Sequence, residues 1–218
     1  MNTLKKSLFS SILIIFFLSV FPQNVFAGNL KDYFPVKPGA RMVFISERDE
    51  QIIEKIEETQ LRGRRSIIIN GRGYFTEIRE DNEGIKLVSK YLGVNFREKI
   101  DFDKPILIFP FNDEFPYVSE SGFRFFNEKS VFEGVVSINV DFLQFRDVEV
   151  AAGKFRSCLE LSLKENYKSG FYSAVINRKI LYAVGVGKIR EDVKEILILN
   201  GEGVIRENHV ELLKYDEI

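Results

Sequence analysis

The stretch GVVSINVDFLQFRDVEV, residues 134–150, indicates the fold class because apolar and polar side chains alternate along it. One face of an extended strand would carry Val136, Ile138, Val140, Phe142, Val148 and Val150. The opposite face would carry Ser137, Asn139, Asp141, Asp147 and Glu149. This period of two is typical of an antiparallel sheet with one covered side. Leu143 and Phe145 fall on the polar side, which predicts either a β-bulge or a patch on a second covered face.

On both sides of this stretch, turn signals recur about every ten residues, as in a β-sandwich or barrel. Further strands are predicted at Arg41–Arg48, Arg65–Asn70, Tyr74–Arg79, Ile85–Leu92, Tyr172–Val184, Glu195–Leu199 and His209–Tyr215. The segment 51–60 fits two structures. Ile52, Ile53 and Ile56 follow helical spacing, but a strand paired with Arg41–Arg48 fits as well.

Residues 101–132 contain nine aromatic residues together with Pro105, Pro110 and Pro116. Because prolines at this spacing disfavour a central strand, the segment is predicted to be a long connection packed by its aromatic side chains. It would either plug the end or edge of the sheet or act as a lid that lines a ligand site. The candidate ligand-binding residues are Phe109, Phe111, Phe115, Tyr117, Phe123, Phe125 and Phe126.

The N-terminus has the pattern of a signal peptide. Lys5 and Lys6 precede an apolar run, and Val25-Phe26-Ala27 is a small-residue cleavage signal. We expect cleavage after Ala27, a single antiparallel β domain at 28–218, and a periplasmic or secreted location. The alternative is an uncleaved anchor, although the run is shorter than the ~20 residues that span a bilayer.

The charge balance disfavours nucleic-acid binding. The chain has 31 basic and 32 acidic residues, which gives no electrostatic attraction for nucleic acid or for an anionic membrane surface. After signal cleavage we expect no transmembrane anchor, and we expect a monomer.

Cys158 is the only cysteine, so it cannot form an internal disulfide. It is expected to be a buried packing residue, with an intermolecular disulfide or a reactive thiol as alternatives. In a strictly alternating strand, Cys158 would lie on the same face as its charged neighbours. Either a bulge turns its side chain inward, or the side chain lies on the less buried face.

Catalytic, metal and cofactor motifs are weak. Cys158 and His209 could form a dyad, but no second motif supports it. Zinc needs more cysteine and histidine than this chain has, and the calcium candidates Asp101 with Asp103 and Asn112-Asp113-Glu114 lack a loop pattern. Val184-Gly185-Val186-Gly187 lacks the third glycine and the helix of a dinucleotide loop. We predict no catalytic residue, no metal and no cofactor.

Four motifs, in this order along the chain, are the basis of a resemblance to a known family: DYFPVKPGARMVF (32–44), VAAGKFRSCLEL (150–161), LYAVGVGKIRE (181–191) and ELLKY (211–215). Together the chain resembles the DUF3108-like and TapB-like group of bacterial exported proteins. The resemblance implies a mainly-β fold with a strongly curved antiparallel sheet or incomplete β-barrel, LolA-like, with little helix. It favours a strand at 51–60 and a packing role for Cys158, and it brings no catalytic residues. The chain lacks a lipobox, and segment 102–132 lies outside the motif set.

Two functions follow as hypotheses. The first is a non-enzymatic exported envelope protein that binds an apolar ligand or a lipid chain in a concave sheet. The second is a protein-interaction module of an envelope or secretion assembly, with an envelope protein as partner. A hydrolase is the least favoured alternative.

Overall fold

The computed structural model describes residues 29–34, 37–61, 64–71, 74–92, 98–112, 115–126, 130–170, 172–199 and 202–216. They form twelve β-strands and one short 3-10 helix, Leu30–Tyr33. The strands are β1 Arg41–Ser46, β2 Gln51–Leu61, β3 Arg64–Gly71, β4 Tyr74–Glu80, β5 Gly84–Leu92, β6 Glu98–Pro110, β7 Tyr117–Phe126, β8 Val131–Val150, β9 Gly153–Ser169, β10 Tyr172–Ala183, β11 Gly187–Leu199 and β12 Glu202–Asp216. The predicted signal peptide lies outside the described residues.

The twelve strands form a closed antiparallel barrel. Each strand pairs with its neighbours in sequence, and β1 pairs with β12 to close the sheet. The predicted mainly-β fold with a strongly curved antiparallel sheet is confirmed, and the curvature continues until the two ends of the sheet meet. Closure leaves no free lateral edge where the first and last strands pair.

Strands β8 and β9 confirm the alternation read from residues 134–150. Val136, Ile138 and Val140 are buried, whereas Val135 on the other face is 62% exposed. The register between β8 and β9 shifts at Phe142/Gln144, so Leu143 lies in a bulge. The Phe145 ring then packs 5.9 Å, centroid to centroid, from the ring of Tyr33. The bulge alternative for Leu143 and Phe145 is therefore the one observed.

A second irregularity lies beside the cysteine. The β8–β9 register shifts again between Arg146 and Val148, and Ser157 adopts a left-handed backbone with φ of 49°. The Ser157 N–H donates a hydrogen bond of 2.9 Å to the Asp147 carboxylate. Cys158, next in the chain, is fully buried and belongs to the hydrophobic core. Of the two alternatives for Cys158, the bulge is therefore the one observed, and the thiol is buried.

The segment 51–60 is a strand. Ile52 and Ile56 lie among the residues that line the barrel interior, and the segment pairs with β1 from Arg41↔Lys55 to Ile45↔Gln51. The helical spacing of its isoleucines is overridden because pairing on both sides satisfies the backbone and buries the same side chains.

The prediction of a long aromatic connection at 101–132 is wrong. The segment contains most of β6 and all of β7. Pro105 is tolerated because the β5–β6 register skips from Ser89↔Asp101 to Leu87↔Ile106, so its missing N–H falls in an irregular part of the ladder. Pro110 ends β6, and Pro116 lies before β7. Only a few residues separate the end of β6 at Pro110 from the start of β7 at Tyr117.

The ladder between β6 and β7 is the shortest of the barrel. The two strands pair only where Lys99–Phe102 meets Phe123–Phe126. Beyond this point the side chain of Ser121 replaces a ladder partner: its hydroxyl accepts from the Lys104 N–H and donates to the Lys104 carbonyl, both at 3.1 Å. We call the remaining gap between 103–110 and 117–122 the seam.

The 3-10 helix closes one end of the barrel, which we call the helix end. Leu30 and Tyr33 are buried, and the Tyr33 hydroxyl donates to the Ser157 carbonyl at 3.0 Å. The Gly185 N–H, in the β10–β11 turn, donates to the Asp32 carbonyl at 2.8 Å. Because the strands alternate in direction, the β1–β2 turn lies at the opposite end.

Candidate functional site

A cavity of about 880 Å³ lies inside the barrel. Its walls come from β1 to β6 and from β9 to β12, and Phe34 lies beside the 3-10 helix at its inner end. The lining also includes Glu47 and Arg48 of the β1–β2 turn and Arg206 and Glu207 of β12, all of which are exposed. The cavity therefore opens to solvent at this end, which we call the mouth.

Much of the wall is apolar. The side chains that form it come from nine strands and point to a common interior: Met42, Phe44, Ile52, Ile56, Ile69, Ile78, Leu87, Ile108, Leu163, Ile180 and Val193. Such a wall favours the transfer of an apolar group from water by roughly 25 cal/mol for each Å² of apolar surface that becomes buried.

Six ionisable side chains cross this interior as a continuous series of ion pairs, which we call the charge belt: Glu54, Lys90, Glu165, Arg178, Lys188 and Glu191. At one end the Lys188 ammonium lies 2.7 Å from Glu54 Oε1 and 3.0 Å from Glu191 Oε2. The Tyr74 hydroxyl also donates to Glu54 Oε1. The ammonium lies 4.8 Å from the centroid of the Phe44 ring, within range of a cation–π interaction.

The belt continues through Arg178. Its Nη1 donates to Glu191 at 2.7 Å, and its Nε donates to Glu165 at 2.8 Å. The other oxygen of Glu165 accepts from Lys90 Nζ and from the Tyr167 hydroxyl, each at 2.7 Å. Because Lys90 is on β5 and Glu165 on β9, the belt joins walls that are not neighbours in the sheet.

The pairing keeps the belt charged. Burial alone would raise the pKa of Glu191, but Lys188 and Arg178 outweigh burial and lower it to about 2. In the same way Lys90 and Arg178 hold the pKa of Glu165 well below its usual range. Burial would lower the pKa of Lys188, yet Glu191 and Glu54 raise it well above the ordinary value. By formal charge the belt balances three carboxylates against three cations.

The mouth has a slight excess of negative charge. Its lining includes four carboxylates and two guanidinium groups. The carboxylates are those of Glu47, Glu50, Glu195 and Glu207, and the guanidinium groups are those of Arg48 and Arg206. Lys194 pairs with Glu207 at 2.7 Å, which leaves four acids against three bases. These charges are largely exposed, so their field is screened by salt.

The charge belt is not among the sequence predictions, although alternation marks half of it. Glu54 lies between Ile52 and Ile56, and Arg178 lies between Ile176 and Ile180. In both cases a charged residue occupies a position of the apolar face. Glu165 likewise follows Leu161 and Leu163 on their face. A charged side chain at an apolar position of a strand is the signal that could have found these three.

None of the seven aromatic residues predicted to bind a ligand lines the cavity. Phe109 and Phe123 are buried in the core, 1% and 2% exposed. Phe109 packs against Phe111 and the Phe123 ring against Tyr167. Phe115 packs against Phe142, and Phe125 stacks on Phe132. Tyr117 and Phe126 are half-buried. The structure does not bring the seven together, and ligand binding by them stays a prediction.

The side chains considered for catalysis take structural positions. Burial, followed by Asp147, raises the pKa of the Cys158 thiol to about 11, so it is protonated at neutral pH. His209 is half-buried and contacts Asp192 and Glu211, which raise its pKa against the effect of burial. Val184-Gly185-Val186-Gly187 forms the β10–β11 turn, with φ of 74° at Gly185 and 97° at Gly187, where glycine is needed.

In the part of the chain that the structure describes, no three or more His, Cys, Asp or Glu residues come together as a metal site. Asp101 pairs instead with Lys99 at 2.7 Å. Within the same residues, no helix has the length and apolar character needed to cross a membrane.

Comparisons with known proteins give a remote similarity. No family model matches the chain, and no curated protein matches it. The resemblance to the DUF3108-like and TapB-like group therefore stays a prediction.

Three solved structures are similar to this chain. A predicted lipoprotein from Parabacteroides distasonis is 12% identical, with a TM-score of 0.44, over 84% of this chain and 98% of that one. A predicted exported protein with a YmcC-like fold from Bacteroides fragilis is 13% identical, with a TM-score of 0.42 and the same coverage. The hypothetical lipoprotein YmcC from Escherichia coli is 12% identical, with a TM-score of 0.40, over 93% of this chain and 96% of that one.

Proposed function

We propose that this protein is a non-enzymatic exported protein of the bacterial envelope, periplasmic or secreted, that binds an apolar ligand or a lipid chain inside its barrel. The observation that carries the proposal is the cavity of about 880 Å³, which is open at the mouth and has a largely apolar wall. Its volume falls in the range of about 300–1,000 Å³ that small-molecule sites have.

The electrostatics of the site support binding rather than catalysis. A general acid or base works best when its pKa is near the working pH. The pKa of Glu191 is about 2 and that of Lys188 is well above its ordinary value, so neither exchanges protons readily at pH 7. The same ion pairs connect distant strands of the barrel, which holds the cavity walls in place.

A binding experiment with a neutral apolar fluorophore, N-phenyl-1-naphthylamine, tests the proposal. The dye should gain fluorescence on binding the wild-type protein at micromolar concentration. Thr76 lines the cavity, so Thr76→Trp should fill part of it and weaken binding at least tenfold. Val135→Trp, on the exposed outer face of β8, is the matched control and should bind normally. Absence of binding to the wild type, or equal binding by Thr76→Trp, would refute a ligand site inside the barrel.

A protein-interaction module is the second candidate, because one stretch of β12 extends beyond β1 and is paired on one side only. The β1–β12 pairing begins at Ser46↔Val210, so Glu202–His209 of β12 pairs with β11 alone. Val204 and Ile205 in this edge are 48% and 64% exposed. An extended strand of another envelope protein is the occupant that such an edge accommodates.

A photo-crosslinking amino acid at Val204 tests this candidate in the periplasm of bacterial cells. Specific adducts with one envelope protein, absent when the crosslinker replaces Val135, would support it. Adducts that are the same at both positions, or none at either, would count against a strand-addition surface.

A further inference from the structure

The cations of the charge belt are more accessible from the cavity than its carboxylates. The side chains of Arg178, Lys188 and Lys90 are 23%, 19% and 17% exposed. Those of Glu54, Glu165 and Glu191 are 6%, 4% and 12% exposed. The accessible surface of the belt therefore comes mainly from its three cationic side chains, and a polar group that reaches the belt can accept hydrogen bonds from them.

The charge of these donors is already neutralised. Each cation pairs with a carboxylate at 2.7–3.0 Å, and the three carboxylates balance the three cations. An anionic group at the belt would lose its hydration without meeting a net positive charge, and removing an ion from water is far more costly than removing an amide or ester. The excess of acids at the mouth adds a weak repulsion of anions.

The remaining lining determines the rest of the ligand. The apolar wall lies on both sides of the belt, with Met42, Ile56 and Tyr182 toward the helix end and Val193 toward the mouth. A molecule that satisfies both surfaces has an apolar chain and a polar group that accepts hydrogen bonds.

We propose that the cavity takes a single-chain amphiphile whose polar group is uncharged and accepts hydrogen bonds from the charge belt, and that it discriminates against the matching anion. This inference rests on the ligand-binding function proposed above and adds the class of the ligand. Amides, esters and alcohols of medium-length acyl chains belong to this class, and free fatty-acid anions do not.

A matched pair of ligands, decanamide and decanoate, tests the proposal. The two share a chain and a head group of nearly the same size, and they differ in charge at pH 7.5. In displacement of N-phenyl-1-naphthylamine from the full wild-type protein, decanamide should bind at least tenfold more tightly. Decanoate binding as tightly as decanamide, or more tightly, would overturn the inference while leaving the ligand-binding function intact. Failure of the dye and of both ligands to bind would refute the ligand-binding function itself.

Glu191→Gln provides an independent test, because it should give the belt a net positive charge. Decanoate should then bind at least tenfold more tightly than it does to the wild type, and decanamide should change by less than about threefold. Glu120→Gln changes the net charge equally on the exposed outer face of β7 and should alter neither affinity. An unchanged decanoate affinity in folded Glu191→Gln would overturn the role assigned to the belt. If this variant does not fold, the wild-type comparison still decides the outcome.

Discussion

The thiol of Cys158 is enclosed by protein, and this environment determines its chemistry. It has no accessible surface, and its pKa is raised to about 11. Because the thiolate is the reactive form, we expect an enclosed and protonated thiol to react slowly with disulfide reagents in the folded state. The environment supports the packing role over the redox alternatives.

Labelling with a chromogenic aromatic disulfide at pH 8 tests the state of this thiol. We expect one equivalent to react rapidly in 6 M guanidinium chloride and at least a hundredfold more slowly in the native protein. Rapid labelling of the native protein, with a stoichiometry near one, would show that the core opens around Cys158.

Glu191 makes a pH-dependent contribution to stability. Its pKa falls from 4.5 to about 2 on folding, so the carboxylate stabilises the fold above pH 4.5 and this contribution is lost as the pH falls toward 2. A difference of this size corresponds to about 3 kcal/mol. In urea unfolding at pH 7 and at pH 2.5, the wild type should lose roughly 2–3 kcal/mol more than Glu191→Gln does.

The exposed control Glu120→Gln should show the pH dependence of the wild type in the same experiment. If Glu191→Gln lost as much stability on acidification as the wild type, Glu191 would not be the group responsible.

The alternation of side chains along a strand predicts only half of the charge belt. Glu54, Glu165 and Arg178 stand at apolar positions of regular strands, so alternation alone places them inside. Lys90, Lys188 and Glu191 lie beside register shifts, between Leu87 and Ser89 and at Ile189, where the alternation changes phase. A bulge is a property of two paired strands, and the sequence of one strand does not show it.

At the scale of elements, the bulge between β8 and β9 depends on the left-handed backbone of Ser157. A β-branched residue is strained at φ of 49°, whereas glycine adopts it freely. Ser157→Val should lower the free energy of unfolding by about 1–2 kcal/mol, and Ser157→Gly should change it by less than about 1 kcal/mol. Chemical denaturation checks both.

A loss of stability in Ser157→Gly as large as that in Ser157→Val would mean that the side chain of Ser157, rather than its backbone angle, is important. Both variants keep the N–H that donates to Asp147, so that hydrogen bond is not the variable.

The elements also show where local sequence misleads. Tertiary pairing decides between helix and strand at 51–60, and a register irregularity accommodates Pro105 in β6. The strand pattern of β8 is predictable because the side chains alternate without interruption over 134–142, and residues 134–140 pair with both β7 and β9. Prolines are informative about a ladder only when the partner strand is known.

At the scale of the whole molecule, the seam is the part of the wall where β6 and β7 have no ladder. Amides of 117–122 that face β6 lack ladder partners, whereas β9 has ladders with both β8 and β10. In hydrogen exchange followed by mass spectrometry, peptides that cover 117–122 should exchange at least tenfold faster than peptides from 158–168. Equal protection of the two regions would show that the seam is closed in solution.

Closure of the barrel itself was beyond the sequence analysis. Alternation and turns define strands and hairpins, but the β1–β12 pairing joins residues far apart in the chain and depends on the summed twist of the sheet. The cavity follows from closure, so it too could not be placed from the pattern of one strand at a time.

The β1–β12 pairing has a consequence for the order of the chain. Arg41 pairs with Asp216, so both ends of the barrel sequence lie at the helix end, and every other strand pairing joins sequence neighbours. The same set of strand pairings is therefore compatible with other starting points of the polypeptide. In a circular permutant, a flexible linker would join residue 216 to residue 29, and the new termini would lie at exposed Gly170. The cut would remove the turn between β9 and β10, so these two strands would pair without a direct connection. All other ladders would keep their present connections.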